Sequence, residues 1–192
     1  MSSQISTPDQ LKDEAESAYK QGNYLEAARL FEAAAKGYQT GGFIPPAGQT
    51  AGDLLLANEM LNNCSVAYLR AGDAGLAYEV VRDTPTVFEK AGDVCRQGKA
   101  LGNVGAALEA LGRSAEAMQA YQKSSELLEQ AGEKEHRAYV LQSLSALQLK
   151  TGQQFEALAT MQSGLEGIQH PSLKQRLLKK MIRIPFSFLS KK

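Results

Sequence analysis

The 192-residue chain has no tryptophan, only two cysteines, two histidines and six prolines, and no long apolar run. Each scarcity narrows what the protein can be. Cys64 and Cys95 stand among apolar, helix-forming neighbours without CxxC spacing. That pattern argues against a disulfide framework or a cysteine metal site, and for two small buried thiols in a reducing compartment. His136 and His170 have no partner at metal-ligand spacing. His136 falls in the charged run EKEHR, where a solvated ring is expected, and His170 precedes Pro171, where it can meet the last carbonyls of a helix. The longest purely apolar run, Leu54 to Ala57, is far too short to cross a bilayer. The opening MSSQISTPDQ lacks the basic start and apolar core of a signal peptide, so a cytoplasmic location is expected.

Catalytic signatures are missing as well. No G-x-S-x-G elbow occurs. The stretch Gly92 to Ala100, GDVCRQGKA, falls short of a phosphate loop: its glycine spacing is one too long, Ala100 cannot hold magnesium, and no strand precedes it. The acids Asp13, Glu14 and Glu16, and Glu133 with Glu135, sit near helix starts, where they favour the dipole. No enzyme, no cofactor and no metal are expected.

What the chain does have is a ladder of glycines. They fall at 92, 112, 132 and 152, each between a run of helix formers and a new helix start. Glycine just past a helix end adopts positive φ without a Cβ penalty, whereas inside a helix it costs about 1 kcal/mol relative to alanine. The ladder therefore predicts stacked helices of roughly 17 residues, about 25 Å long. Strand-forming runs are scarce and Ala, Leu, Glu, Gln and Lys dominate, which makes the class all-α.

In chain order, Thr7, Pro8 and Gln10 form a capping box for a first helix running to about Gln21. A second helix is expected near 24–39. The glycine step then slips by ten residues across FIPPAGQTAG, read as a loop insertion at 43–52. Further helices are predicted at about 53–71, 74–90, 93–111, 114–130, 133–151 and 154–168, with a kink or restart at Asp83-Thr84-Pro85. Connections of two or three residues force consecutive helices into antiparallel hairpins. This gives four units, about 8–42, 53–92, 93–132 and 133–171, within a repeat domain of residues 1–171.

A second pattern rides on the first. Five residues after the glycine inside each hairpin stands an alanine, with a larger residue four later: Ala27 and Phe31, Ala77 and Val81, Ala117 and Tyr121, Ala157 and Met161. Leu101, Val104, Gly105 and Leu108 form an apolar stripe with a small residue in its middle, repeated at Leu141, Leu144 and Ser145. Taken with Gly22 and Tyr24, this resembles the tetratricopeptide repeat (TPR). The units are 40 residues rather than the usual 34, so each helix is longer by about a turn.

The resemblance implies a right-handed α-solenoid whose first helices line a concave groove that binds a peptide segment of a partner protein. On that face stand Lys12, Glu16 and Tyr19; Asn62, Asn63 and Arg70; Lys99, Asn103 and Glu109; and Gln142, Ser143 and Lys150. Asn63, Asn103 and Ser143 recur at forty-residue steps and are expected to form one polar row able to donate to and accept from an extended backbone. The peptide-binding candidates are therefore Lys12, Asn63, Arg70, Lys99, Asn103, Gln142 and Ser143. Some family members clamp a terminal carboxylate. Lys12, Asn63 and Lys99 fit that pattern, but Glu16 would repel such a ligand.

Residues 172–192, SLKQRLLKKMIRIPFSFLSKK, carry seven basic residues and no acid, leaving 14 basic against 21 acidic residues elsewhere, a balance of −7. The acidic body argues against nucleic acid as a partner. The segment has two readings. Leu173, Leu177, Leu178, Met181 and Ile182 can form a capping helix over the last repeat. Alternatively Lys179, Lys180, Arg183, Phe186 and Phe188 can contact an anionic membrane surface, making the protein a peripheral membrane adaptor. Self-association through uncovered solenoid ends is a further expectation. The leading reading is a non-catalytic protein–protein interaction scaffold.

Overall fold

A computed structural model describes residues 6–40 and 50–166, which form helices throughout. The helices are α1 (Pro8–Lys20), α2 (Tyr24–Gln39), α3 (Ala51–Ala71), α4 (Ala74–Val81), α5 (Thr84–Lys90), α6 (Val94–Ala110), α7 (Ser114–Gln130), α8 (Lys134–Lys150) and α9 (Gln154–Glu166). Helix α1 packs on α2, α3 on α4, α6 on α7 and α8 on α9; these hairpins stack through α2 on α3, α4 and α5 on α6, and α7 on α8. This is an α-solenoid. Among the described residues no helix is long and apolar enough to cross a membrane.

The glycine ladder does most of the punctuation. Gly22, Gly72, Gly92, Gly112, Gly132 and Gly152 all have φ between +71° and +86°. Gly52 breaks the rule. It lies in the first turn of α3, which begins at Ala51 because Thr50 caps it: the Asp53 amide donates to Thr50 Oγ1 at 3.1 Å, and the Thr50 amide donates to Asp53 Oδ2 at 2.9 Å. The expected loop at 43–52 therefore ends sooner than its last glycine suggests; its residues 43–49 lie outside the described residues. The capping box at Thr7 is present as expected, with Gln10 N to Thr7 Oγ1 at 3.3 Å and Thr7 N to Gln10 Oε1 at 2.9 Å.

The helix predicted over 74–90 restarts at the expected place, dividing into α4 and α5 around Arg82 and Asp83. Pro85 has no amide hydrogen and takes an early position in α5, where none is needed. The buried face nevertheless runs straight through the break, from Ala77 and Val81 to Thr84 and Phe88.

The small-residue pattern has a steric cause. Ala27, Ala77, Ala117 and Ala157 are all fully buried, so a larger side chain at any of them would push neighbouring helices apart. Gly105 shows a close approach of the same kind. A Cβ there would stand 2.7 Å from the Tyr121 ring, which is itself buried and donates its hydroxyl to Glu109 Oε2 at 3.0 Å. The helix accepts glycine's conformational cost at this position so that α6 and α7 can touch.

Candidate functional site

The first helix of each hairpin contributes to a common face. Between α3, α6 and α8 lies a cleft of about 640 Å³, within the range of small-ligand and peptide-side-chain sites. Asn62 and Asn63 enter it from α3, Lys99 and Asn103 from α6, and His136 and Tyr139 from α8; Phe88 of α5 and Leu128 of α7 form its apolar base. A smaller hollow of about 290 Å³ lies beside it, lined by Glu16 and Tyr19 of α1, Phe31 of α2, and Asn63 and Val66 of α3. Asn63 lines both, which makes the two hollows one continuous face.

The amides differ in their freedom. Asn62 is buried, and its Oδ1 accepts from Thr84 Oγ1 at 3.2 Å and from Asn103 Nδ2 at 3.5 Å. Among the described residues the Asn63 side chain makes no hydrogen bond, so its amide is available to a ligand. Of the expected row of Asn63, Asn103 and Ser143, the first two line the cleft together. Asn103 reaches Asn62, 41 residues away, and Lys150 pairs with Glu109 at 2.9 Å across the same separation. Adjacent first helices are related by a rotation as well as a shift, so opposite flanks meet. Ser143 stands instead by the Tyr121 hydroxyl.

Of the sequence candidates, Asn63, Lys99 and Asn103 line the cleft; Lys12, Arg70, Gln142 and Ser143 line neither hollow. Lys99 is not a free cation either. Its Nζ lies 3.7 Å from Glu133 Oε2, which also sits 2.9 Å from His136 Nδ1. Hydrogen bonds from His136 and Cys95, with the Lys99 charge, hold the Glu133 carboxyl below its usual range. Arg96, overlooked in the sequence, bridges Glu59 at 3.2 Å and Asp93 at 3.0 Å. The cleft's two fixed cations are therefore shared among three carboxylates.

Two further residues differ from expectation. His136 is not merely solvated but lines the cleft and is held by Glu133. Cys95 is half-buried in the cleft wall, unlike the sealed Cys64, and both thiols are free. Burial raises the Cys95 thiol above its ordinary value although Lys99 opposes it, which leaves a poor nucleophile. Among the described residues no cluster of three or more His, Cys, Asp or Glu could hold a metal. The proposed membrane-contact residues Lys179, Lys180, Arg183, Phe186 and Phe188, and the capping helix, lie outside the described residues.

Tyr139 and Phe88 were missed for opposite reasons. Tyr139 is 70% exposed on the cleft rim and breaks no period. Phe88 is fully buried and counted only as core, yet it shapes the cleft base.

These features define the chain as a TPR-like α-solenoid with a polar-rimmed, apolar-based cleft on its first-helix face. Solved structures agree on the fold. BtubC (BKLC) from P. vanneervenii is similar with a TM-score of 0.70 at 14% identity, over 93% of this chain and 72% of that one. A putative kinesin light chain with nearly identical TPR-like repeats from Podosopora anserina is similar with a TM-score of 0.64 at 15% identity, over 98% of this chain and all of that one. No protein-family model and no curated protein sequence matches the chain.

Proposed function

We propose that this chain is a non-catalytic scaffold that holds an extended segment of a partner protein along α3, α6 and α8. The observation that carries this reading is Asn63: an amide without a hydrogen-bond partner among the described residues, at the point where two adjoining hollows meet. An amide of that kind can donate to a peptide carbonyl and accept from a peptide N–H at once. The exposed Tyr139 and the part-buried Val140, backed by the buried Phe88 and Leu128, offer an anchor position, the usual source of most binding energy in such interfaces. With Lys99 and Arg96 already paired, the preferred segment is apolar and neutral or basic. A cytoplasmic setting accords with two free thiols.

Selecting peptides from a display library against the full chain tests this. An Asn63→Ala/Asn103→Ala variant should bind the selected peptides ~10- to 100-fold more weakly, since each lost hydrogen bond is worth about 0.5–1.5 kcal/mol. Its helicity should match wild type. Equal affinity, or the absence of any selected peptide, would sink the assignment.

A further inference from the structure

The described part of the chain ends one helix away from the cleft, across α8. Helix α9 runs antiparallel to α8, so its last turn lies beside the first turns of α8. Arg137 Nη2 donates to Ser163 Oγ at 3.2 Å, and a Cβ on Gly164 would stand 3.2 Å from Leu141 Cβ and 3.6 Å from the Ala138 carbonyl oxygen. The neighbouring residues His136, Tyr139 and Val140 are cleft lining. From Glu166 the chain continues for 26 residues without a single acid, and residues 172–192 carry seven basic residues against a body of net −7.

The cleft matches that segment in charge and in surface. Glu59 and Asp93 share Arg96, and Glu133 holds Lys99, so three carboxylates meet two lysine or arginine cations. Its base is apolar and Tyr139 projects from its rim. An acidic occupant would meet carboxylates, whereas an apolar segment flanked by basic residues would not. Residues 184–190, IPFSFLS, are such a segment, with Lys179, Lys180 and Arg183 before it and Lys191 and Lys192 after it.

We propose that the C-terminal segment, residues 172–192, is an intramolecular occupant of the cleft. Phe186, Phe188 and Leu189 supply the apolar contacts, and the lysines and arginines face Glu59, Asp93 and Glu133. A partner segment then binds by displacing it. This rests on reading the cleft as a peptide-binding face. Tethering favours occupancy: a tether able to span the distance gives an effective concentration in the millimolar range, so an intrinsic affinity of about 100 μM keeps the cleft roughly tenfold more occupied than open.

Cys95 in the cleft wall reports on this in the full-length chain, with the fully buried Cys64 as the unfolding control. Alkylation by iodoacetamide is compared in wild type, in Phe186→Ser/Phe188→Ser, and in Glu59→Lys. In both variants Cys95 should react about tenfold faster, while Cys64 stays protected and the melting curve stays cooperative. An unchanged Cys95 rate in both variants overturns the proposal. So does wild-type protection that rises with protein concentration, which would mean the tail of a second copy. If the Cys95 rate is unchanged while Phe186→Ser/Phe188→Ser loses binding to phosphatidylserine vesicles, the segment is a membrane contact and the proposal falls. The two readings fail separately: peptides lost on the asparagine variant, together with an unchanged Cys95 rate, leave the scaffold standing and remove the tail.

Discussion

Phe88→Ala is expected to destabilise the chain by about 3–5 kcal/mol, the range for removing a buried aromatic ring. At roughly 2–4 °C per kcal/mol for a chain of this size, the melting temperature should fall by about 6–20 °C. Phe88 is the largest fully buried side chain among the described residues, on the short helix α5 that packs against both α3 and α6. A seven-residue helix has little stability of its own and is held chiefly by such contacts. The ring is also part of the cleft base, so its loss should weaken peptide binding beyond the stability effect. Phe88→Leu, which keeps most of the buried area, should lose much less of both. Thermal unfolding of the three proteins checks this, and a loss under 1 kcal/mol for Phe88→Ala would contradict the described packing.

Stability should also fall as the pH rises from about 9 toward 12. Burial pushes the Cys64 thiol from 9.0 up to about 12, with the Glu32 charge adding to it; the thiol lies 3.2 Å from the Ala28 carbonyl oxygen. Burial also raises the Tyr38 and Tyr121 phenols above 10.0, aided by Asp9 and Glu109 respectively. Each group holds its proton in the folded chain at pH values where the unfolded chain has released it. The folded state then binds more protons, so the free energy of unfolding falls with pH. The contribution is complete below the unfolded values and is lost as pH climbs toward the folded ones. Each group adds a slope of at most about 1.4 kcal/mol per pH unit. Denaturant midpoints recorded across this range should steepen accordingly, and Cys64→Ala should flatten the curve above pH 9. An unchanged slope in that variant would mean the thiol is not sealed.

The two predictions draw on features of unequal legibility. Glycines at a fixed step announced the helix ends because positive φ has few other takers, and the alanines five residues on marked the close contacts. Gly52 misled because the same residue suits a first helical turn when a Thr-x-x-Asp box sits before it. The break at Thr84-Pro85 was legible from proline chemistry, but not the use of Thr84 Oγ1 to fix the Asn62 amide. Such a bond needs two helices brought together, which periodicity cannot supply.

The same limit applies to the cleft. Asn63, Lys99 and Asn103 were found because polar residues on the first-helix face recur near the repeat length. Their partners were not, because contacts between units depend on rotation: Asn62 meets Asn103 and Glu109 meets Lys150 at 41 residues, while Lys99 meets Glu133 at 34. Counting by forties put Asn63 and Asn103 on one cleft but not Ser143, which stands by the Tyr121 hydroxyl. Tyr139 stands forty residues after Lys99 but was passed over because only polar residues were sought there, and Cys95 carried no polar mark.

The central claim is that the face built by α3, α6 and α8 is the one that binds. A selected peptide carrying a photoreactive group, bound to the full chain and irradiated, tests it most directly once the adducts are mapped by mass spectrometry. Adducts confined to those helices, around Asn63, Asn103 and Tyr139, are the expected result. Adducts falling mainly on α2, α4, α7 or α9 would contradict the account and move the binding face to the opposite side of the solenoid.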